Sequence, residues 1–133
     1  MKKISILIPC FNEVDNVGPI SEAIINEIKN KLPLYDYEIV FIDNYSTDGT
    51  RKNLEQLCSK NTKIKAIFNA KNFGQFNSPF YGMCQTTGDC TICMCCDFQD
   101  PIDLIPRFIA EWEKGYKIVS AIKPRREENR FVR

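Results

Sequence analysis

Ile4-Ser5-Ile6-Leu7-Ile8 runs into Pro9-Cys10-Phe11-Asn12-Glu13, and Val17, Ile20, Ile24 and Ile28 then recur on one helical face. A β-branched run ended by proline reads as a strand, and apolar residues spaced by three and four read as a helix. The polar residues 12–16 between them offer capping groups. A strand followed directly by a helix is half of a parallel crossover unit, and the remainder of the chain repeats it. Tyr37–Ile42 makes a second strand ending in the polar loop Asp43-Asn44-Tyr45-Ser46-Thr47-Asp48-Gly49, with its own capping residues. A weaker helix carrying Leu54, Leu57 and Cys58 leads to a third strand, Ile64–Phe68. After the loop Lys71-Asn72-Phe73-Gly74, residues 75–86 read as a helix whose regularity Pro79 and Gly82 reduce. Cys90–Cys96 is the fourth strand, ending at Asp97-Phe98-Gln99-Asp100-Pro101. Pro101 as first helical residue, Asp100 as N-cap, and Ile105, Phe108, Ile109 and Trp112 on one face predict a further helix, closed by Gly115. Lys117–Ile122 reads as a fifth strand. Strands this apolar, alternating with helices, predict an α/β protein: a mostly parallel sheet with helices on both faces.

The chain has 133 residues, enough for one domain. Hydrophobic residues make up 44% and charged residues 26%, which excludes a disordered chain. Eighteen basic and 17 acidic residues leave a net charge of +1, giving no global field for a polyanion, so no nucleic-acid partner is expected. There is no histidine, which removes Ser-His-Asp triads and His-ligated metals. Seven cysteines are an odd number, four of them crowded into Cys90, Cys93, Cys95 and Cys96, a layout unsuited to disulfide staples. The run fits a buried strand in a reducing compartment. A thiol-bound metal or redox centre is the weaker alternative, because successive strand residues point to opposite faces. The apolar start is interrupted by Pro9 and too short for a signal peptide, and no stretch is long enough to span a membrane, so the chain is expected to be soluble and cytoplasmic.

In open parallel sheets ligands bind beyond the carboxyl ends of the strands. The loops there lack the glycine patterns of dinucleotide and P-loop sites and carry carboxylates and amides instead: Glu13, Asp43, Asn44, Asp97, Gln99 and Asp100. Hard oxygen ligands at a strand end suit Mg²⁺ or Mn²⁺ completed by substrate phosphates. Each residue also has a plainer reading: Asp100 as a helix cap, Asp97 as a turn residue, Gln99 as loop surface, Phe11 as core, and Asp43 and Asn44 as an Asx-turn.

Ile8-Pro9-Cys10-Phe11-Asn12-Glu13, Phe41–Thr50, Asn72-Phe73-Gly74, Gly88-Asp89 and Asp97-Phe98-Gln99-Asp100-Pro101, in that order, resemble the motifs of family 2 glycosyltransferases. The likeness spans nearly the whole chain and is nearest the branch of dolichol-phosphate mannosyltransferase and bacterial polyprenyl-phosphate sugar transferases. It implies a Rossmann-like GT-A fold, with residues 1–122 as the nucleotide-sugar-binding core and 123–133 as the start of an acceptor region. It also implies a UDP- or GDP-linked sugar donor. Transfer would proceed with inversion to a polyprenyl phosphate or a saccharide, in cell-envelope glycan synthesis. Pro9, Phe11, Glu13, Asp43, Asn44, Lys71, Gly74 and Asp97 would bind the nucleotide. Asp97 and Gln99 would hold Mg²⁺ or Mn²⁺, and Asp97, Asp100 and Lys123 are the candidate catalytic residues. The sequence departs from the family pattern in three places: Cys95 replaces the first Asp of the metal motif, Asn44 stands where many relatives have Asp, and Lys123 where they commonly have Arg. Residues 123–133 carry five basic and two acidic side chains, net +3, against 13 and 15, net −2, over 1–122. That local charge fits acceptor phosphate or lipid headgroups, or a solvated end. The resemblance places the full-length protein at the cytoplasmic face of the membrane, with peripheral contact through a C-terminal region beyond this chain. A non-catalytic nucleotide-sugar-binding fragment is the second reading.

Overall fold

The computed structural model describes residues 1–122; Lys123 and the basic segment 123–133 lie outside the described residues. In chain order the elements are β1 (Lys3–Cys10), α1 (Val17–Lys31), β2 (Asp36–Asp43), α2 (Thr50–Lys60), β3 (Ile64–Phe68), α3 (Gly74–Gln85), β4 (Cys90–Cys93) and α4 (Leu104–Glu113). The four strands form one sheet in the order β3-β2-β1-β4, every pairing parallel. The first two crossovers step outward from β1 to β2 to β3. The third returns past both strands to place β4 on the other side of β1. The strand order therefore reverses between β1 and β4, and beside such a reversal the carboxyl ends are where open parallel sheets bind ligands.

Side-chain alternation divides the core into two layers. Ile4, Ile6, Ile8, Ile39, Phe41, Ile92 and Met94 meet Ile20, Ile24, Leu54, Ile105 and Ile109 of α1, α2 and α4 on one face. Leu7, Val40 and Ile42 lie on the other, with Ile67 packed against them. On that second face α3 rests with Ser78 and Gly82 as its buried residues. A Cβ on Gly82 would stand 2.8 Å from a Leu7 methyl and 3.2 Å from one of Ile42, so the missing side chain sets how closely the helix approaches. Helices thus cover both faces, as predicted, although α3 spans only the middle of the sheet.

Several local expectations need correction. The fourth strand is not buried throughout: Ile92, Met94 and Cys96 are buried, whereas Thr91, Cys93 and Cys95 are exposed, because α3 lies over β1 and β2 and leaves that face of β4 bare. Lys117–Ile122 is not a strand; it makes no ladder with the outer edge of β4, and Ile118 and Ile122 are exposed. Helix α4 starts at Leu104 rather than Pro101, because a tight turn with i→i+3 bonds from Leu104 to Pro101 and from Ile105 to Ile102 precedes it. Asp100 is accordingly not its N-cap. Pro79 does not break α3, which runs unbroken through it; the carbonyl it leaves unpaired belongs to exposed Gln75, open to water.

Candidate active site

Register alone brings the strand-end residues together. Cys10 pairs with Asp43, and Leu7 pairs with Cys93, so the chain beyond β4 carries Cys96 and Asp97 to the level of Cys10. Glu13, Asp43 and Asp97 therefore share one rim of the sheet. The buried thiols between them register the crowding: burial pushes Cys10 up, with Asp43, Cys96 and Glu13 adding to it, and burial together with Glu13 and Asp97 raises Cys96 to about 12.

Polar residues that read as helix caps in the sequence instead stitch the loops to one another. Neither α1, with N-cap Asn16, nor α2, with N-cap Gly49, has a side-chain cap. The Asn12 N–H donates to Ser46 Oγ at 2.8 Å and the Thr47 N–H to Asn12 Oδ1 at 2.9 Å. The Glu13 N–H donates to Thr50 Oγ1 at 2.9 Å, and Asn53 Nδ2 to the Val14 carbonyl at 3.0 Å. Asn12, Tyr45 and Phe98 all adopt left-handed backbone, with φ of 52°, 70° and 62°. For Tyr and Phe that conformation is uncommon and strained, and all three lie in the loops that follow β1, β2 and β4. Sequence reading did not single out Tyr45 or Phe98, since no residue preference signals an aromatic in this conformation.

Asp43 is fully buried, and its carboxylate accepts the Ser46 N–H at 3.1 Å and the Ser46 hydroxyl. It closes an Asx-type turn, the plainer of its two sequence readings. Asn44 is half-buried and committed to the next loop. Its Nδ2 donates to Asn72 Oδ1 at 2.9 Å and to the Gly74 carbonyl at 3.3 Å, and its Oδ1 accepts from Asn69 Nδ2 at 3.2 Å and from the Phe73 N–H at 2.9 Å. Pro9, Phe11, Asn44, Asn72, Gly74 and Ser78 line a cleft of about 270 Å³ at the ends of β1 and β2. Phe11 is 49% exposed there, so it is not a core residue. Half-buried Glu13 accepts from Asn16 Nδ2 through Oε2 at 2.6 Å. Lys71 is exposed, its Nζ 5.1 Å from the centre of the Phe73 ring.

Asp97 is exposed, and Gln99 folds back on it, the backbone N–H reaching Oδ1 at 3.3 Å and Nε2 reaching Oδ2 at 2.6 Å. Asp100 lines a cavity of about 430 Å³ between β4 and α4, and its Oδ2 accepts the Cys95 N–H at 2.9 Å. Among the described residues no three His, Cys, Asp or Glu side chains converge as a metal cage. The donor set that is present, one exposed carboxylate with a neighbouring amide, fits a hard divalent cation whose shell is finished by a ligand's phosphates. Cys95, a soft donor, does not suit that ion. No helix among the described residues is long and apolar enough to cross a membrane.

The family described as Glycosyl transferase family 2 matches residues 5–133. A bactoprenol glucosyl transferase of Shigella phage SfX is 37% identical over 119 residues, covering 90% of this chain and 38% of that protein. An undecaprenyl-phosphate 4-deoxy-4-formamido-L-arabinose transferase of Proteus mirabilis is 30% identical over 132 residues, covering 98% and 40% respectively. The chain thus spans about two fifths of the length of these relatives. Among solved structures, a mannosyltransferase of Pyrobaculum calidifontis in complex with GDP-Man and Mn²⁺ superposes with a TM-score of 0.58 at 17% identity, covering 81% of this chain and 31% of that one.

Proposed function

The chain belongs to glycosyl transferase family 2 and has the GT-A fold, and from that premise we propose that it forms the donor-binding part of an enzyme that transfers a sugar from a nucleoside diphosphate to a polyprenyl phosphate. The observation that carries the proposal is the shared rim. Carboxylates 30 and 54 residues apart in the chain, Glu13, Asp43 and Asp97, come to one rim of the sheet around the buried thiols of Cys10 and Cys96. The names of the relatives support the acceptor class, since bactoprenol and undecaprenyl phosphate are both polyprenyl lipids. Peripheral membrane contact of the whole protein, at the cytoplasmic face, belongs to the same proposal.

In this reading the exposed ring of Phe11 offers a flat face to the base, beside Pro9. Glu13 accepts a hydroxyl or ring N–H through the oxygen that Asn16 leaves over. Gly74 and Lys71 flank the diphosphate, Lys71 as a point charge. Asp97, with Gln99 beside it, would hold Mg²⁺ or Mn²⁺, which supplies charge neutralisation for the departing diphosphate. The presence of Mn²⁺ with GDP-Man in the Pyrobaculum neighbour agrees with that choice of ion. Displacement at the anomeric carbon with inversion breaks the bond to the nucleoside diphosphate and forms one to the acceptor oxygen. A phosphate acceptor is already an anion and needs positioning rather than a general base, so a chain without histidine suffices. Asp100 and Lys123 complete the catalytic proposal, Asp100 from its place beside β4 and Lys123 from outside the described residues.

Calorimetric titration with UDP- and GDP-sugars, with and without Mn²⁺, tests this. At least one donor binds more tightly with the cation, and Asp97→Ala removes that difference together with any donor turnover. Flat titrations across the panel by a folded sample would end the proposal. Binding that is intact without any turnover would favour a non-catalytic nucleotide-sugar binder.

A further inference from the structure

The resemblance puts Asn44 among the nucleotide-binding residues, where many relatives have Asp, and its hydrogen bonds describe a different task. Both amide hydrogens and both lone pairs of the oxygen are engaged within the chain. The orientation of the amide is fixed by the main chain, because the Phe73 N–H can only donate and the Gly74 carbonyl can only accept. The bonds extend outward from there. Asn72 Oδ1 also accepts the Gly74 N–H at 2.8 Å, and Asn69 Nδ2 also donates to the buried Ser78 hydroxyl at 2.9 Å. Backbone bonds from the Asn44 N–H to the Cys10 carbonyl and from the Asn69 N–H to the Asp43 carbonyl, each 2.9 Å, anchor both ends of the network to the sheet. Three asparagines thus fasten the loop of residues 69–74 and the first turn of α3 to the end of β2, at the cleft that Phe11 also lines. A carboxylate at position 44 could accept two of these bonds but could donate neither of the others.

We propose that Asn44 is a positioning residue: with Asn72 as its partner it sets the wall of the donor cleft formed by residues 69–74, and the base is selected by other groups. This rests on the donor-cleft reading above and deepens it. The test is a double-mutant cycle of Asn44→Ala and Asn72→Ala, titrated with UDP and with GDP in the presence of Mn²⁺, alongside amide hydrogen exchange of the ligand-free proteins. Each single variant is expected to weaken both nucleotides by about fivefold, the scale of a lost hydrogen bond, and to leave their affinity ratio unchanged. The double variant is expected to lose no more than either single one, since the two side chains act as a unit. Exchange at Phe73 and Gly74 speeds up in all three, while the core strands keep their protection. A UDP-to-GDP ratio shifted by more than about tenfold in Asn44→Ala would make the residue a reader of the base and overturn the inference. So would additive losses, or affinities that do not change. If the unsubstituted protein binds neither nucleotide, the donor-cleft reading itself fails and this inference with it, an outcome distinct from the others.

Discussion

Glu38 is the most demanding single residue in the fold, a carboxylate 1% exposed near the amino end of β2. Burial opposes its charge, but hydrogen bonds from Lys65, the Thr87 N–H, the Ser5 hydroxyl at 2.7 Å and the Thr87 hydroxyl outweigh burial and bring the carboxyl down to about 2. The folded state holds the charged form more tightly than the unfolded chain does. The resulting stabilisation is complete above pH 4.5, the ordinary value, and is lost as pH falls from there toward 2. Glu38→Gln should therefore cost about 2 kcal/mol near neutral pH, discounted because Lys3 and Lys65 are open enough to be rehydrated. Denaturant melts of both proteins across that range check it: the gap should close toward pH 2, and a constant gap would contradict the assignment. Little of this was legible beforehand, because a Glu inside an apolar run identifies no partners when those partners come from β1, β3 and the turn before β4. The strand-end residues were legible as a set, since parallel strands must end on one rim. Their individual tasks were not, because capping and loop-to-loop bonding call on the same short polar side chains, and only the fold decides between Asn12 capping α1 and Asn12 holding Ser46 and Thr47.

The elements show the same division. Alternation of strands and helices could be read from periodicity because β1 and β2 are covered on both faces and their apolar runs are continuous. The edges could not be read that way. Cys90–Cys96 has the composition of a central strand but lies at the margin, and Lys117–Ile122 has the pattern of a strand without a ladder. What fixes β4 is the turn before it. A Cβ on Gly88 would stand 2.5 Å from Ser5 Oγ, 2.7 Å from the Ser5 nitrogen and 2.9 Å from the Lys3 carbonyl, while Asp89 receives the Lys3 N–H at 2.8 Å. The Gly-Asp pair is therefore a docking joint between the turn and β1, remote from the cleft. Gly88→Ala should destabilise by about 2–3 kcal/mol, as overpacking against main chain does, without altering nucleotide affinity in the protein that remains folded. Gly18 in the first turn of α1 is the control. Nothing lies within 4 Å of its added Cβ, so Gly18→Ala should be neutral or stabilise by roughly 0.5 kcal/mol. Equal effects from the two substitutions would show that the close approach at Gly88 is not what governs that joint.

At the scale of the molecule, the reversal of strand order makes the rim beyond β1 and β4 a seam between two sets of loops, although the strands beneath it are paired and share one core. On one side stand β1 and β2, with their loops bonded together and to residues 69–74. On the other stands the end of β4, a short strand that carries Asp97 and pairs with β1 alone. A ligand spanning Phe11 and Asp97 would bridge that seam, and it should stabilise the whole fold rather than one loop. At a hundredfold excess over its dissociation constant such a ligand adds about 2.7 kcal/mol. For a domain of this size that corresponds to a rise of roughly 10 °C in the melting midpoint. Nucleotide with Mn²⁺ should produce the full rise and nucleotide alone a smaller one, because only the ion ties the diphosphate to Asp97. Asp97→Ala should melt near the parent temperature without ligand, since among the described residues its carboxylate bonds to Gln99 beside it, and should show the smaller rise with or without Mn²⁺. A cation-dependent shift that survives Asp97→Ala would move the ion to other ligands. The two sides of the seam would then no longer be joined through that side chain.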